Sequence, residues 1–178
     1  MNAVSAPQEL KGPLRAFFDF WRALPKTHLL PTLADFLDRV PPELAPFLAI
    51  VDVRGPEDAS IRFFGTQLVD RAAFDPTGMT VGDLYAEKLR PAVHRLLWEA
   101  VTRPVGYLSH RKIVGRTGFV DVHPSCGLPI DIPTSSVRGV VNYSRSVIAS
   151  AREIDDKAHL VQDMKLDKWL DIGAGVPG

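Results

Sequence analysis

Leu14, Phe17, Phe18, Trp21 and Leu24 recur at intervals of three and four residues, which places them on one side of a helix that Pro25 ends. The following THLLPTLADFLDRVPPELAP carries Leu33, Phe36 and Leu37 on one helical face until Pro41 and Pro42 break it, and reads as a helical cap laid over a later core. At Phe47 the period shortens. FLAIVDV is rich in β-branched and aromatic residues and is closed by Gly55 and Pro56, as a buried strand would be. ASIRFFG then alternates, with Ala59, Ile61 and Phe63 on one face and Ser60 and Arg62 on the other, so the two runs predict a β-hairpin.

Gly65 to Ala73 predicts a short helix, and Asp75 to Gly78 fits a type I turn with Asp first, Pro second and Gly last. A longer helix opens at Pro91, which loses no intrahelical bond at a helix start. Its apolar stripe is Ala92, Val93, Leu96, Leu97, Ala100 and Val101, and Arg103-Pro104 ends it. Three extended runs follow, Val105 to Val114, Phe119 to Val122 or slightly beyond, and Val137 to Tyr143. Between the last two, HPSCGLPIDIPTSS carries three prolines and predicts a bulge or loop. From Glu153 to Leu170 the spacing of Ile154, Ala158 and Val161 predicts a final helix, with GAGVPG frayed beyond it. The whole reads as an α+β domain with a helical cap over residues 1–45, a core over 46–145 and a C-terminal helix and tail over 146–178.

Composition narrows the function classes. A chain of 178 residues with 46% hydrophobic and 24% charged residues is neither disordered nor fibrous, and is expected to form one domain. Lys plus Arg and Asp plus Glu both number 21, so no basic excess is present to gather phosphates, and nucleic acid is not an expected partner. Apolar runs such as Pro46 to Val51 fall far short of the ~20 residues of a membrane span, and MNAVSAPQELKGPLR lacks the apolar core of a signal peptide. The lone Cys126 excludes an intramolecular disulfide and a Cys-only zinc site. A cytoplasmic protein without membrane contact is the expectation.

One segment is more specific. RFFGTQLVDRAAFDPTGMTVGDLY, Arg62 to Tyr85, is preceded by FLAIVDV and by an N-terminal FxxFWRALP, and within it Arg62, Gly65 and Thr66 are followed by Gly78, Asp83 and Leu84. This combination resembles a bacterial family of stand-alone PAS domains over about Phe17 to Tyr143. LPI at Leu128 to Ile130 and the strand VRGVV resemble its closing strands less closely, because HPSC and the extra prolines depart from a smooth run. The resemblance implies a PAS-like five-stranded antiparallel sheet of order 2-1-5-4-3, helices on one face and a pocket between sheet and helices. It also implies that a small ligand or cofactor is sensed and the result passed to a partner protein.

Several residues then become candidates. His94 lies on the long helix that carries the iron ligand in haem-binding relatives, and neutral imidazole suits haem iron; the alternative is a packing or surface histidine, and the cofactor stays unassigned. His123 and Cys126 have a His-x-x-Cys spacing open to zinc or copper, against the plainer reading of loop residues. The sequence around Cys126 lacks the helical context of a flavin-adduct cysteine. Phe63, Tyr85, Leu97 and Tyr107, if they converge, would line a mostly apolar ligand cavity, whose alternative is a closed core. Phe17, Phe18 and Trp21, with Trp169, would pack on the domain itself or form a homodimer or partner contact.

The resulting expectation is a non-catalytic sensory or regulatory domain acting through a small apolar ligand, an unidentified signalling partner, or both. Beside it stand a small cone-shaped α+β enzyme with His110 or His123 as base and Asp121 as its companion, a haem-based sensor, and a purely structural dimerisation module.

Overall fold

The computed structural model describes residues 10–26, 28–72, 74–114, 120–133, 137–145 and 161–177. Helix α1, Gly12–Ala23, carries Pro13 in its first turn and buries Phe17, Phe18 and Trp21. Asp19 pairs on the other side with Arg15 and Arg22. Helix α2, Leu33–Arg39, is capped by Thr32, whose Oγ1 accepts from the Asp35 backbone N–H at 3.1 Å. Strands β1, Leu48–Gly55, and β2, Asp58–Phe64, form the expected hairpin. Helix α3, Thr66–Ala72, and two 3-10 turns, Val81–Leu84 and Glu87–Leu89, lead into α4, Arg90–Thr102. Strands β3, Gly106–Val114, β4, Val120–Asp131, β5, Arg138–Ser144, and β6, Val161–Leu170, complete an antiparallel six-stranded sheet of order β2-β1-β5-β4-β3-β6. Among the described residues no helix is long and apolar enough to cross a membrane.

Five structural findings correct the sequence reading. The sheet has six strands, because Val161–Leu170 is a strand and not the end of a helix. Locally this stretch is rich in helix formers, but β3 presents an open edge on which it pairs from Gly106 with Leu170 to Ile113 with Val161, and the ladder outweighs propensity. Residues 146–160, including the predicted helix start at Glu153, lie outside the described residues.

Helices also cover both faces of the sheet, not one. Alternation along β1 sends Leu48 and Ile50 to one side, where they meet α1 and α2 together with Leu128, Ile130 and Tyr143. It sends Val51 and Val53 to the other, where α4 packs with Ile61, Tyr107 and Val140.

Strand β4 runs straight through the stretch expected to be a loop. Pro124 pairs with His110 of β3 at a level β5 does not reach, and Pro129 pairs with Val140 of β5 beyond the last β3 pair at Gly127. Each proline therefore has a strand on one side only, where its missing N–H breaks no ladder. The Pro129 carbonyl, which points away from β5, accepts instead from Trp21 Nε1 at 3.0 Å.

A β-bulge in the hairpin shifts the phase of β2. Phe63 is opposite Ile50 and Ile61 is opposite Val51, so one extra residue, Arg62, stands between the partners of residues adjacent on β1. Phe63 is consequently 41% exposed and Phe64 takes the inward place. The turn after α3 closes one residue later than expected, with Met79 N–H donating to Pro76 O at 2.9 Å and Gly78 at φ +89°.

Candidate functional site

The site grows from one row of residues across the sheet. Ala49 on β1 is opposite Asn142 on β5, Asn142 is opposite Gly127 on β4, Gly127 is opposite Tyr107 on β3, and Tyr107 is opposite Trp169 on β6. All face the α4 side. Gly127 matters through what it lacks, since a Cβ there would stand 2.1 Å from Tyr107 Cζ. The phenol therefore lies flat over the glycine and reaches Asn142, whose Nδ2 donates to Tyr107 Oη at 3.2 Å. Burial, the largest cause, pushes the Tyr107 hydroxyl up to about 12 from its ordinary 10.0, opposed by the nearby Arg111 guanidinium.

Two residues along β3 from Ser109, strand alternation brings Arg111 to this same face. Its Nη1 donates to Asn142 Oδ1 at 3.2 Å, and its guanidinium lies 6.0 Å from the Tyr85 ring centre. Its Nε is out of contact with solvent and makes no hydrogen bond, and among the described residues no carboxylate pairs with it. Beside it runs a second polar row. Ser109 and Ser125 share a buried hydrogen bond of 2.7 Å, and Ser125 is opposite the buried Ser144.

Over this floor lies a partly open pocket of about 90 Å³. Ala49, Asn142, Ser144 and Arg111 form its base, Phe64 one side, and Val161 another. Leu68, Arg71 and Ala72 of α3 and the pair Leu84-Tyr85 cover it. The walls are mostly apolar, and no Asp or Glu lines them. The cover is tied to β6 by the Ala86 N–H, which donates to Val161 O at 2.9 Å. Two larger surface hollows, of about 340 and 370 Å³, contain no buried polar side chain in their walls.

The predicted ligand residues divide. Tyr85 is buried and lines the pocket. Tyr107 is buried beneath it and acts through Asn142. Leu97 belongs to the α4 core and Phe63 faces away, displaced by the bulge, so neither lines the pocket. His94 is directed toward the 3-10 turn, its Nε2 2.9 Å from where a Cβ on Gly82 would stand. With no histidine or cysteine among the lining residues and so small a volume, the pocket does not fit an iron-bound haem.

The other candidates also resolve into places. Phe17, Phe18 and Trp21 are at most 2% exposed against the chain's own sheet, Phe17 stacking on Tyr143 at 5.4 Å, which leaves that stripe no surface for a partner. Trp169 lies half-buried on β6, edge-on to Tyr107 at 6.4 Å, and not on a helix. Cys126 is fully buried and its thiol is pushed far up by burial, so it is not a ligand to an accessible metal; the His123 side chain lies outside the described residues. Among the described residues no cluster of three or more His, Cys, Asp or Glu gathers. Asp121 is opposite Ile113, three positions along β3 from His110, and its side chain lies outside the described residues. His110 Nδ1 instead contacts Asp167 Oδ2 of β6, on the exposed face of the sheet.

Arg111 and Asn142, the polar heart of the site, escaped the sequence reading. The signal was present in GYLSHRKIV, where alternation from the inward Tyr107 carries an arginine to the inward face. Compared with known proteins, the chain matches no family model and no curated sequence. The family resemblance therefore rests on the quoted residues alone.

Proposed function

We propose that this chain is a PAS-like, non-catalytic regulatory domain that binds a small molecule between its sheet and helix α3 and relays occupancy to a partner protein. The observation that carries this reading is the small pocket over a polar floor, roofed by short elements and not by strands. The sheet order β2-β1-β5-β4-β3 within the six strands supports the sensor reading over a cone-shaped enzyme, whose sheet is ordered differently. The contact of His110 with Asp167, and a register that sets Asp121 opposite Ile113, speak against the His110–Asp121 pairing of the enzyme reading.

A ligand in this pocket touches α3 and Leu84-Tyr85 at once, and the latter pair is joined to β6 through Val161. Occupancy that favours one packing of α3 on the sheet thus reaches the outer strand, and only the ligand's differential affinity for that packing drives the shift. The test is a thermal-shift screen of small molecules on the full chain, followed by hydrogen exchange over residues 66–72 and 161–170. A binder should raise Tm, protect both segments and lose its effect in Ala49→Leu, which fills the pocket. Absence of any stabilising compound, or full stabilisation persisting in Ala49→Leu, refutes the reading.

A further inference from the structure

We infer that the pocket's ligand is a small monocarboxylate with a short apolar body, held by the guanidinium of Arg111; this rests on the ligand-binding reading above. Arg111 is half-buried, and the part of a cation that is taken out of water is costly unless an anion or an acceptor answers it. Arg111 is answered only in part. Its one hydrogen bond runs from Nη1 to Asn142, its Nε is shielded from water without an acceptor, and no carboxylate of the pocket wall approaches it.

With Nη1 committed to Asn142, the other terminal nitrogen of the guanidinium, Nη2, makes no hydrogen bond among the described residues and is the group left to answer a ligand's carboxylate. Asn142 fixes the guanidinium in that attitude, since its Oδ1 accepts from Arg111 while its Nδ2 is committed to Tyr107. The phenol in turn stays protonated to high pH and adds no competing negative charge. Ser144, buried in the base, offers a hydroxyl to the same head group.

The rest of the wall is of the opposite character. Ala49, Phe64, Leu68 and Leu84 enclose apolar space, which favours a hydrocarbon tail, and the wall's second cation, Arg71, is engaged elsewhere, with its guanidinium 5.8 Å from the Phe47 ring centre. A dry cavity of about 150 Å³ accommodates benzene. The pocket here measures about 90 Å³, so the tail is limited to a few carbons. A phosphate dianion or a dicarboxylate would have to draw Arg71 away from its present contacts to compensate its second charge.

The experiment is calorimetric titration of the full chain, at constant ionic strength and pH 7, with straight-chain carboxylates from acetate to hexanoate, with butyramide, and with inorganic phosphate. Expected are saturable butyrate binding, at least tenfold weaker binding of butyramide, no competition by phosphate, and at least tenfold loss of butyrate affinity in Arg111→Met and in Ala49→Leu. Should Arg111→Met fail to fold, the comparison of butyrate with butyramide on the unaltered chain decides the matter without it. Equal binding of butyramide, or effective competition by phosphate, overturns the carboxylate assignment while the ligand-binding function stands. Failure of every carboxylate alongside a positive hit from the screen does the same. Failure of carboxylates and of every other compound overturns both.

Discussion

At the scale of single residues, Gly127 and Tyr107 form the tightest pair in the site. Gly127→Ala brings a methyl to 2.1 Å from the phenol ring carbon and forces the ring off Asn142. A destabilisation of about 1–3 kcal/mol is expected, read from urea denaturation, with a parallel change in near-ultraviolet circular dichroism from the displaced tyrosine. Buried acids set the alkaline limb of stability, Tyr107 and Cys126 foremost, with Tyr143 raised by burial as well. The folded state holds the Tyr107 proton up to about 12 whereas an unfolded tyrosine releases it near 10.0, so stability is intact below pH 10 and falls as pH climbs toward 12. The Cys126 thiol is raised in the same direction from an ordinary 9.0, so the fall begins near pH 9. Denaturation midpoints should be flat between roughly pH 7 and 8.5 and decline above, with Tyr107→Phe flattening the part above pH 10; a midpoint that rises there contradicts the assignment. Of these residues the sequence marked Tyr107 and Tyr85 as site candidates and missed Arg111 and Asn142. An arginine in a strand is a surface residue by default, and the alternation that puts Arg111 on the face of Tyr107 becomes a signal only once the sheet shows that Tyr107 points inward.

Elements show where local signals suffice and where they do not. Helix α1 is read directly from its apolar stripe, because a single face of a single helix carries the whole periodicity, and its burial on the sheet follows. Trp21 anchors it through the buried bond to Pro129 O. Trp21→Phe keeps most of the apolar contact and orphans that carbonyl, for an expected loss of about 1–3 kcal/mol in chemical denaturation. Strand β4 is legible in the sequence only at its start, up to Val122, since a proline speaks against a strand until the levels of the neighbouring strands show that Pro124 and Pro129 each face a gap. Strand β6 was misread as helix because its helix formers give a local preference while its pairing with β3 is non-local. The exposed contact of His110 with Asp167 joins these two strands but is half open to solvent. Asp167→Asn should therefore shift stability by less than about 1 kcal/mol in thermal denaturation, and a larger loss would give the pair a structural importance not assigned to it.

Across the whole molecule, two cores share one sheet. The first joins α1 and α2 to it, the second joins α4 and the short elements that roof the pocket. Ligand-dependent change is expected in the second only, so hydrogen exchange of residues 12–23 should be the same with and without a pocket ligand while residues 66–72 slow; slowing of both would mean that the two layers move as one. Sequence periodicity by itself determined the α+β class, the hairpin, α1, α3 and α4, since each depends on residues within a few positions of one another. Tertiary structure alone decided the sixth strand, the use of both sheet faces, the passage of β4 through its prolines, and the meeting of Arg111, Asn142 and Tyr107. Those outcomes depend on cross-strand register, and register is set by packing and pairing among segments distant in sequence, where one bulge or one shifted residue exchanges an inward side chain for an outward one.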